Sequence, residues 1–158
     1  MDKIDNLDKK ILNIITENAR IPSRDIAEQC GVSRAAVHQR IQRLIDMNVI
    51  VGSGYIVDPY KIGYNTCTYI GVKLEKGSLD QNVSDRLEMI PEVVECHFTT
   101  GPYSMIIKVY AHDNQHLMKL LKDHIHTIPE VSGTETLISL EQSFNRQIRI
   151  KPTPEADK

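Results

Sequence analysis

Leu7, Ile11, Ile14 and Ile15 recur at helical spacing with Leu12 beside them, which predicts an amphipathic helix over 7–18. Asn6 or Asp5 is placed to cap it, and Asp8 suits its first turn. A second helix is expected over 23–30. Pro22 opens it, Ile26 and Ala27 face inward, and Gly31 closes it. Ser33 caps a third helix running to about residue 48. Val37, Ile41, Leu44 and Ile45 form its apolar stripe, and Arg34, His38, Gln39, Gln42 and Arg43 share the other face. Ala36 stands at the reciprocal capping position, so a full capping box is not expected. Apolar residues on both sides of Gly52-Ser53-Gly54 read as two short strands, a hairpin or wing.

Asp58-Pro59 breaks this pattern, and residues 60–63 form a joint. Beyond Tyr64 the period changes to two. Strands are expected at TCTYIGVKL, VVECHFTT, YSMIIKVYA and VSGTETLISLE. Helices fall between the first and second and between the third and fourth. Leu79, Val83, Leu87 and Ile90 face inward on one, and Leu117, Leu120, Leu121, Ile125 and Ile128 on the other. The order is β-α-β-β-α-β. IPEV at 90–93 and again at 128–131, each between a helix and a strand, supports two similar halves. The fold class is therefore α+β. Three segments are expected: a helical domain with its hairpin over 1–60, an α/β domain over 61–150, and a polar, flexible tail over 151–158. Helices cover one face of such a sheet. The open face keeps apolar residues, and this predicts a sheet-to-sheet homodimer.

Composition narrows the function. The net charge is −2, which alone suggests nothing about nucleic acid. Its distribution does: residues 1–60 sum to zero, yet Arg34, Arg40 and Arg43 lie in a stretch free of acids. No apolar run approaches a membrane span and the charged N-terminus carries no signal core, so a cytoplasmic protein is expected. Cys30, Cys67 and Cys96 fit neither a disulfide framework nor a zinc motif and read as small buried hydrophobes. Cys96 and His97 point to opposite faces of a strand. His112 and His116 have no third ligand in view. No enzyme activity, metal or cofactor is expected.

Helix, turn at Cys30-Gly31-Val32-Ser33, and helix make the helix-turn-helix plan. Its second helix can enter a major groove of double-stranded DNA. Ser33 and the helix N-terminus suit a phosphate. Arg34 suits a phosphate or guanine, His38 and Gln39 suit base edges, and Gln42 belongs to the same DNA-binding face. Arg43 suits a phosphate, and Arg40 either touches DNA or folds back over the bundle. The plainer reading is a three-helix bundle with a solvated polar face.

Several motifs in series carry a further resemblance. They are LDKKILNIITENARI at 7–21, DIAEQCGVS at 25–33, V..RIQRL at 37–44, NVIVGSGYIVDPYKIG at 48–63, IPEVVECHFTTG at 90–101 and IPEVSGTETLISLE at 128–141. In this order they resemble the leucine-responsive/asparagine-related (Lrp/AsnC) family of transcription regulators. The resemblance implies a winged helix-turn-helix joined to a ferredoxin-like βαββαβ α/β-sandwich. It implies dimers that assemble into octamers, and modulation by an amino acid or related small molecule. The family's effector loop reads glycine, often an acid, an aromatic and a second acid. Here it is Gly101-Pro102-Tyr103-Ser104, with neutral residues at both acidic positions. Thr134 and Thr136 match positions near the same cleft, so these six are the expected effector-binding residues. As bare residues, Gly101-Pro102 is a turn and the threonines are ordinary strand formers. Gln39 stands where a basic residue is common. Two alternatives stay open: an architectural DNA-organising protein with little effector response, and a small-molecule-binding enzyme or sensor without DNA binding.

Overall fold

The computed structural model describes residues 4–75 and 81–153. Two compact units form, each with its own core. Residues up to Tyr55 join the segment from Phe144 onward, and Ile56–Ser143 make the second unit.

The first unit contains α1 (Asn6–Glu17), α2 (Ser23–Cys30) and α3 (Arg34–Asp46). Asp5 caps α1 in a reciprocal box with Asp8, the third helical residue. Gly31 closes α2 at φ 68°, a left-handed conformation that glycine adopts without the Cβ penalty. The Ser33 hydroxyl accepts the Ala36 amide at 3.2 Å and so starts α3. Ile11, Ile26, Ala27 and Val37 are the centre of the core these helices share.

The expected wing strands are absent: residues 51–58 form neither strand nor helix. Val51, Tyr55 and Ile56 stand almost fully exposed. A lone two-stranded ribbon is marginal in water, and Gly52 and Gly54 add flexibility without side chains to pack. Tyr55 instead lies under the Arg20 guanidinium, 4.3 Å from ring centroid to carbon.

Ile150 and Thr153, at the described end of the chain, are held on α1. The Asn13 amide donates to the Ile150 carbonyl at 2.8 Å, and its oxygen accepts the Ile150 N–H at 3.0 Å. Asn6 grips Thr153 in the same two-way fashion at 3.2 and 2.8 Å. Seven helical residues rise ~10.5 Å, and three extended residues span about 10 Å. The spacing of the two asparagines thus matches the strap they hold. Residues 154–158 lie outside the described residues.

The second unit opens with a single 3-10 turn (Tyr60–Ile62). Then come β1 (Thr66–Leu74), α4 (Gln81–Glu88), β2 (Val93–Phe98), β3 (Met105–Ala111), α5 (Asn114–Lys119) and β4 (Val131–Ser139). The antiparallel sheet runs β2-β3-β1-β4, so the βαββαβ order yields the ferredoxin-like arrangement expected. Asp113 caps α5, which continues as a π-helical segment over Leu120–Ile125. Val83, Leu87 and Ile90 pack with Leu117, Leu120, Ile125 and Ile128 against Ile70, Val72, Ile107 and Val109. Leu79, expected beside them, lies outside the described residues.

Register fixes what the opposite sheet face presents. Tyr69 lies across from Lys108 and Leu137, and Gly71 across from Ile106 and Glu135. This face is less apolar than the sequence implied, because Lys108 sits on it. Its side chain is only 8% exposed, and its ammonium meets Glu95 at 3.2 Å. Burial disfavours that charge, but the Glu95 carboxylate, with Tyr110 and Tyr69 alongside, outweighs it and raises the group above its ordinary value.

Candidate nucleic-acid interface

Helical periodicity divides α3 into three stripes. Val37 and Leu44 are buried in the core. Arg34, His38, Gln39 and Gln42 are exposed, as is the capping Ser33. Between these stripes lie Arg40 and Arg43, both turned toward α1. Arg40 Nη1 donates to Asp5 Oδ2 at 2.7 Å and to Asp8 Oδ1 at 2.8 Å. Arg43 Nη2 donates to Asp8 Oδ2.

Periodicity places Arg43 on the outward face, whereas its guanidinium turns to Asp8 and leaves the side chain 37% exposed. Of the three arginines, Arg34 alone stands on that exposed stripe, beside the hydrogen-bonding side chains of His38, Gln39 and Gln42. Gln42 Nε2 also donates to Asp46 at 2.9 Å, which leaves its carbonyl oxygen available. Such a face can offer one charge to a phosphate and several donors and acceptors to base edges.

The six expected effector residues do not converge. Gly101 adopts φ 114°, a value that disfavours any side chain. The chain then turns so that the Tyr103 ring lies on Gly71, where a Cβ would come within 2.6 Å of it. The Tyr103 hydroxyl donates to Glu135 Oε2 at 2.6 Å, and its carbonyl accepts the Thr99 hydroxyl at 2.8 Å. The Ser104 amide donates to the Val72 carbonyl at 2.9 Å, which ties the loop to β1. Thr134 and Thr136 pair in register with Val72 and Ile70, on the helix-covered face. Thr134 Oγ1 there meets His126 Nε2 at 2.8 Å. Sequence reasoning missed Glu135. Period-two alternation across Thr134-Glu135-Thr136 was the available signal.

Glu135, through that hydrogen bond first and burial second, raises the Tyr103 hydroxyl above its ordinary pKa of 10.0. A raised folded value favours the neutral form. The contribution is therefore complete below the unfolded value and fades as pH rises through the folded one. The difference in tyrosinate absorbance between wild type and Tyr103→Phe should titrate above pH ~10. A midpoint at or below that value would contradict the Tyr103–Glu135 bond.

A capped helix-turn-helix with an exposed second helix, in a chain that also carries a βαββαβ unit, defines a two-domain DNA-binding regulator. Comparison with known proteins specifies it further. Residues 4–51 match the winged helix-turn-helix DNA-binding family model, and residues 67–148 match that of the Lrp/AsnC ligand binding domain. The chain is 38% identical over 149 residues to the regulatory protein AsnC of Haemophilus influenzae, covering 94% of this chain and 99% of that one. It is 34% identical to the HTH-type transcriptional regulator FL11 of Pyrococcus furiosus, covering 87% and 90%. The structure of Escherichia coli AsnC superposes with a TM-score of 0.89 at 36% identity, covering 94% and 99%. The chain belongs to the Lrp/AsnC family of DNA-binding transcription regulators. Among the described residues, no helix is long and apolar enough to cross a membrane.

Proposed function

We propose that this regulator reads specific sites in double-stranded DNA as a homodimer and is modulated by an amino acid or related small amine. The observation that carries the reading is the outward face of α3, where Arg34, His38, Gln39 and Gln42 stand exposed together. Ser33 and the first amides of α3 take a phosphate, Arg34 a phosphate or guanine, and His38, Gln39 and Gln42 take base edges. One module makes few phosphate contacts, so useful affinity calls for two copies.

The open sheet face supplies the pairing surface. Tyr69, Leu137 and the Lys108–Glu95 pair sit on it, a mixture of apolar area and charge that suits a register-fixed contact with a second copy. Assembly of dimers into an octamer completes this reading, with the protein acting in the cytoplasm on nucleoid DNA. The carboxylate absent from Pro102 and Ser104 has a substitute in Glu135. Its spare acceptor positions suit the ammonium of an amino-acid effector. The neutral loop also sustains the architectural alternative, in which effector response is weak.

Selection of genomic fragments by the purified protein separates these readings. A few enriched upstream regions sharing an inverted repeat support site-selective regulation, and uniform recovery supports DNA organisation. Within a selected site, Arg34→Ala should flatten the log K versus log salt slope by ~0.9 per lost phosphate contact. Gln42→Ala should instead change the preferred base. Unchanged affinity, slope and preference in both variants would remove this face from the contact.

A further inference from the structure

α3 carries three arginines, and α1 holds two of them. Asp8 is fully buried, which is rare for a carboxylate unless it is paired. Oδ1 accepts Arg40 Nη1 at 2.8 Å. Oδ2 accepts Arg43 Nη2 and also the Asp5 amide at 3.0 Å. Asp5 reinforces the grip with a second bond to Arg40 at 2.7 Å. Burial pushes the Asp5 carboxyl up, but the Asp8 amide and the Arg40 guanidinium outweigh that and hold it below its usual value. Arg43 Nε is buried with no hydrogen-bond partner. That lost bond would be recovered in water. Arg43 thus stays inward because Asp8 holds its other end, and loss of the Asp8 charge should let it swing out.

Resting on the DNA-binding reading above, we infer that Asp8 is a positioning residue for DNA recognition: it withdraws Arg40 and Arg43 from DNA and fixes the rotation at which α3 presents Arg34, His38, Gln39 and Gln42. Arg40 follows Gln39 in the chain, and Arg43 follows Gln42. Freed, each long side chain flanks a base-reading residue and can reach a groove wall lined with phosphates. Phosphate contact is blind to sequence. Withholding two cations therefore keeps non-specific binding low and leaves discrimination to His38, Gln39 and Gln42.

The test uses the full chain, one duplex from the selected genomic sites and one random duplex, titrated over a range of salt. Asp8→Asn keeps the shape and removes the charge. It should tighten binding to the random duplex, steepen the salt slope by up to ~1.8 for two added phosphate contacts, and reduce the ratio of site to random affinity. The triple variant Asp8→Asn, Arg40→Gln, Arg43→Gln should restore the wild-type slope. A merely structural role would weaken both duplexes together with no steepening, and that result overturns the proposal. Should Asp8→Asn fail to fold by circular dichroism, Arg43→Gln in the otherwise native chain decides. No fall in slope supports the inference, and a fall of ~0.9 shows Arg43 on a phosphate and overturns it. A wild-type chain that binds neither duplex refutes the DNA reading itself, together with the inference.

Discussion

Ile11→Ala should abolish DNA binding while leaving the sheet unit folded. Ile11 is fully buried at the centre of the small core, among Ile26, Ala27 and Val37. Truncating such a residue costs about 2–5 kcal/mol, from lost transfer energy and the cavity left behind. A unit of this size buries a modest fraction of its surface and has little stability in reserve. None of the sheet unit's core residues belongs to this cluster. Calorimetry should therefore show the transition of the small unit lowered or lost and that of the sheet unit retained. A single transition at the wild-type temperature would mean that the two cores do not behave as separate cooperative units.

Gly71→Ala should be costly for a reason remote from backbone freedom. Gly71 sits in β1 without a positive φ, so alanine suits its conformation. The obstacle is the Tyr103 ring, whose Cγ and Cδ1 lie 2.6 Å from the new Cβ. These atoms are near the root of the side chain, so a small rotation does not clear the clash. The ring must leave, which breaks the hydroxyl's bond to Glu135. Overpacking of this kind costs about 1–3 kcal/mol. Replacing Tyr103 with alanine first should make Gly71→Ala nearly neutral. An equal cost in both backgrounds would locate the strain elsewhere. If Glu135 receives an effector's ammonium, the single variant should also lose response to added amino acids.

Local signals carried much of this fold. Ser33 before an apolar stripe, Gly31 after a short helix and the change of period near Tyr64 each follow from neighbouring residues. The same logic fails where the deciding partner is distant. Asp8 reads as a first-turn acid favouring the helix dipole, and nothing nearby shows that Arg40 and Arg43 will bury it. Arg43 was consequently assigned to the outward face. The wing failed because strand pattern without a third strand or a covering element gives little stability. The family resemblance groups Thr134 and Thr136 with the Tyr103 loop, because both match positions near the same cleft. Which face each occupies depends on pairing with β1, and the residue between them is the one that meets Tyr103. The polar, proline-bearing composition of the last residues gives no sign of the bonds that Ile150 and Thr153 make to Asn13 and Asn6.

Those bonds give the first unit an order of assembly. A ribosome releases α1, α2 and α3 first, then the whole of Ile56–Ser143, and only afterwards the segment that α1 holds through Asn6 and Asn13. The helix-turn-helix thus spends part of its synthesis with both asparagines facing water. Its final surface contacts form only after translation has passed the sheet domain, so a prematurely terminated chain and a finished one differ at α1 itself.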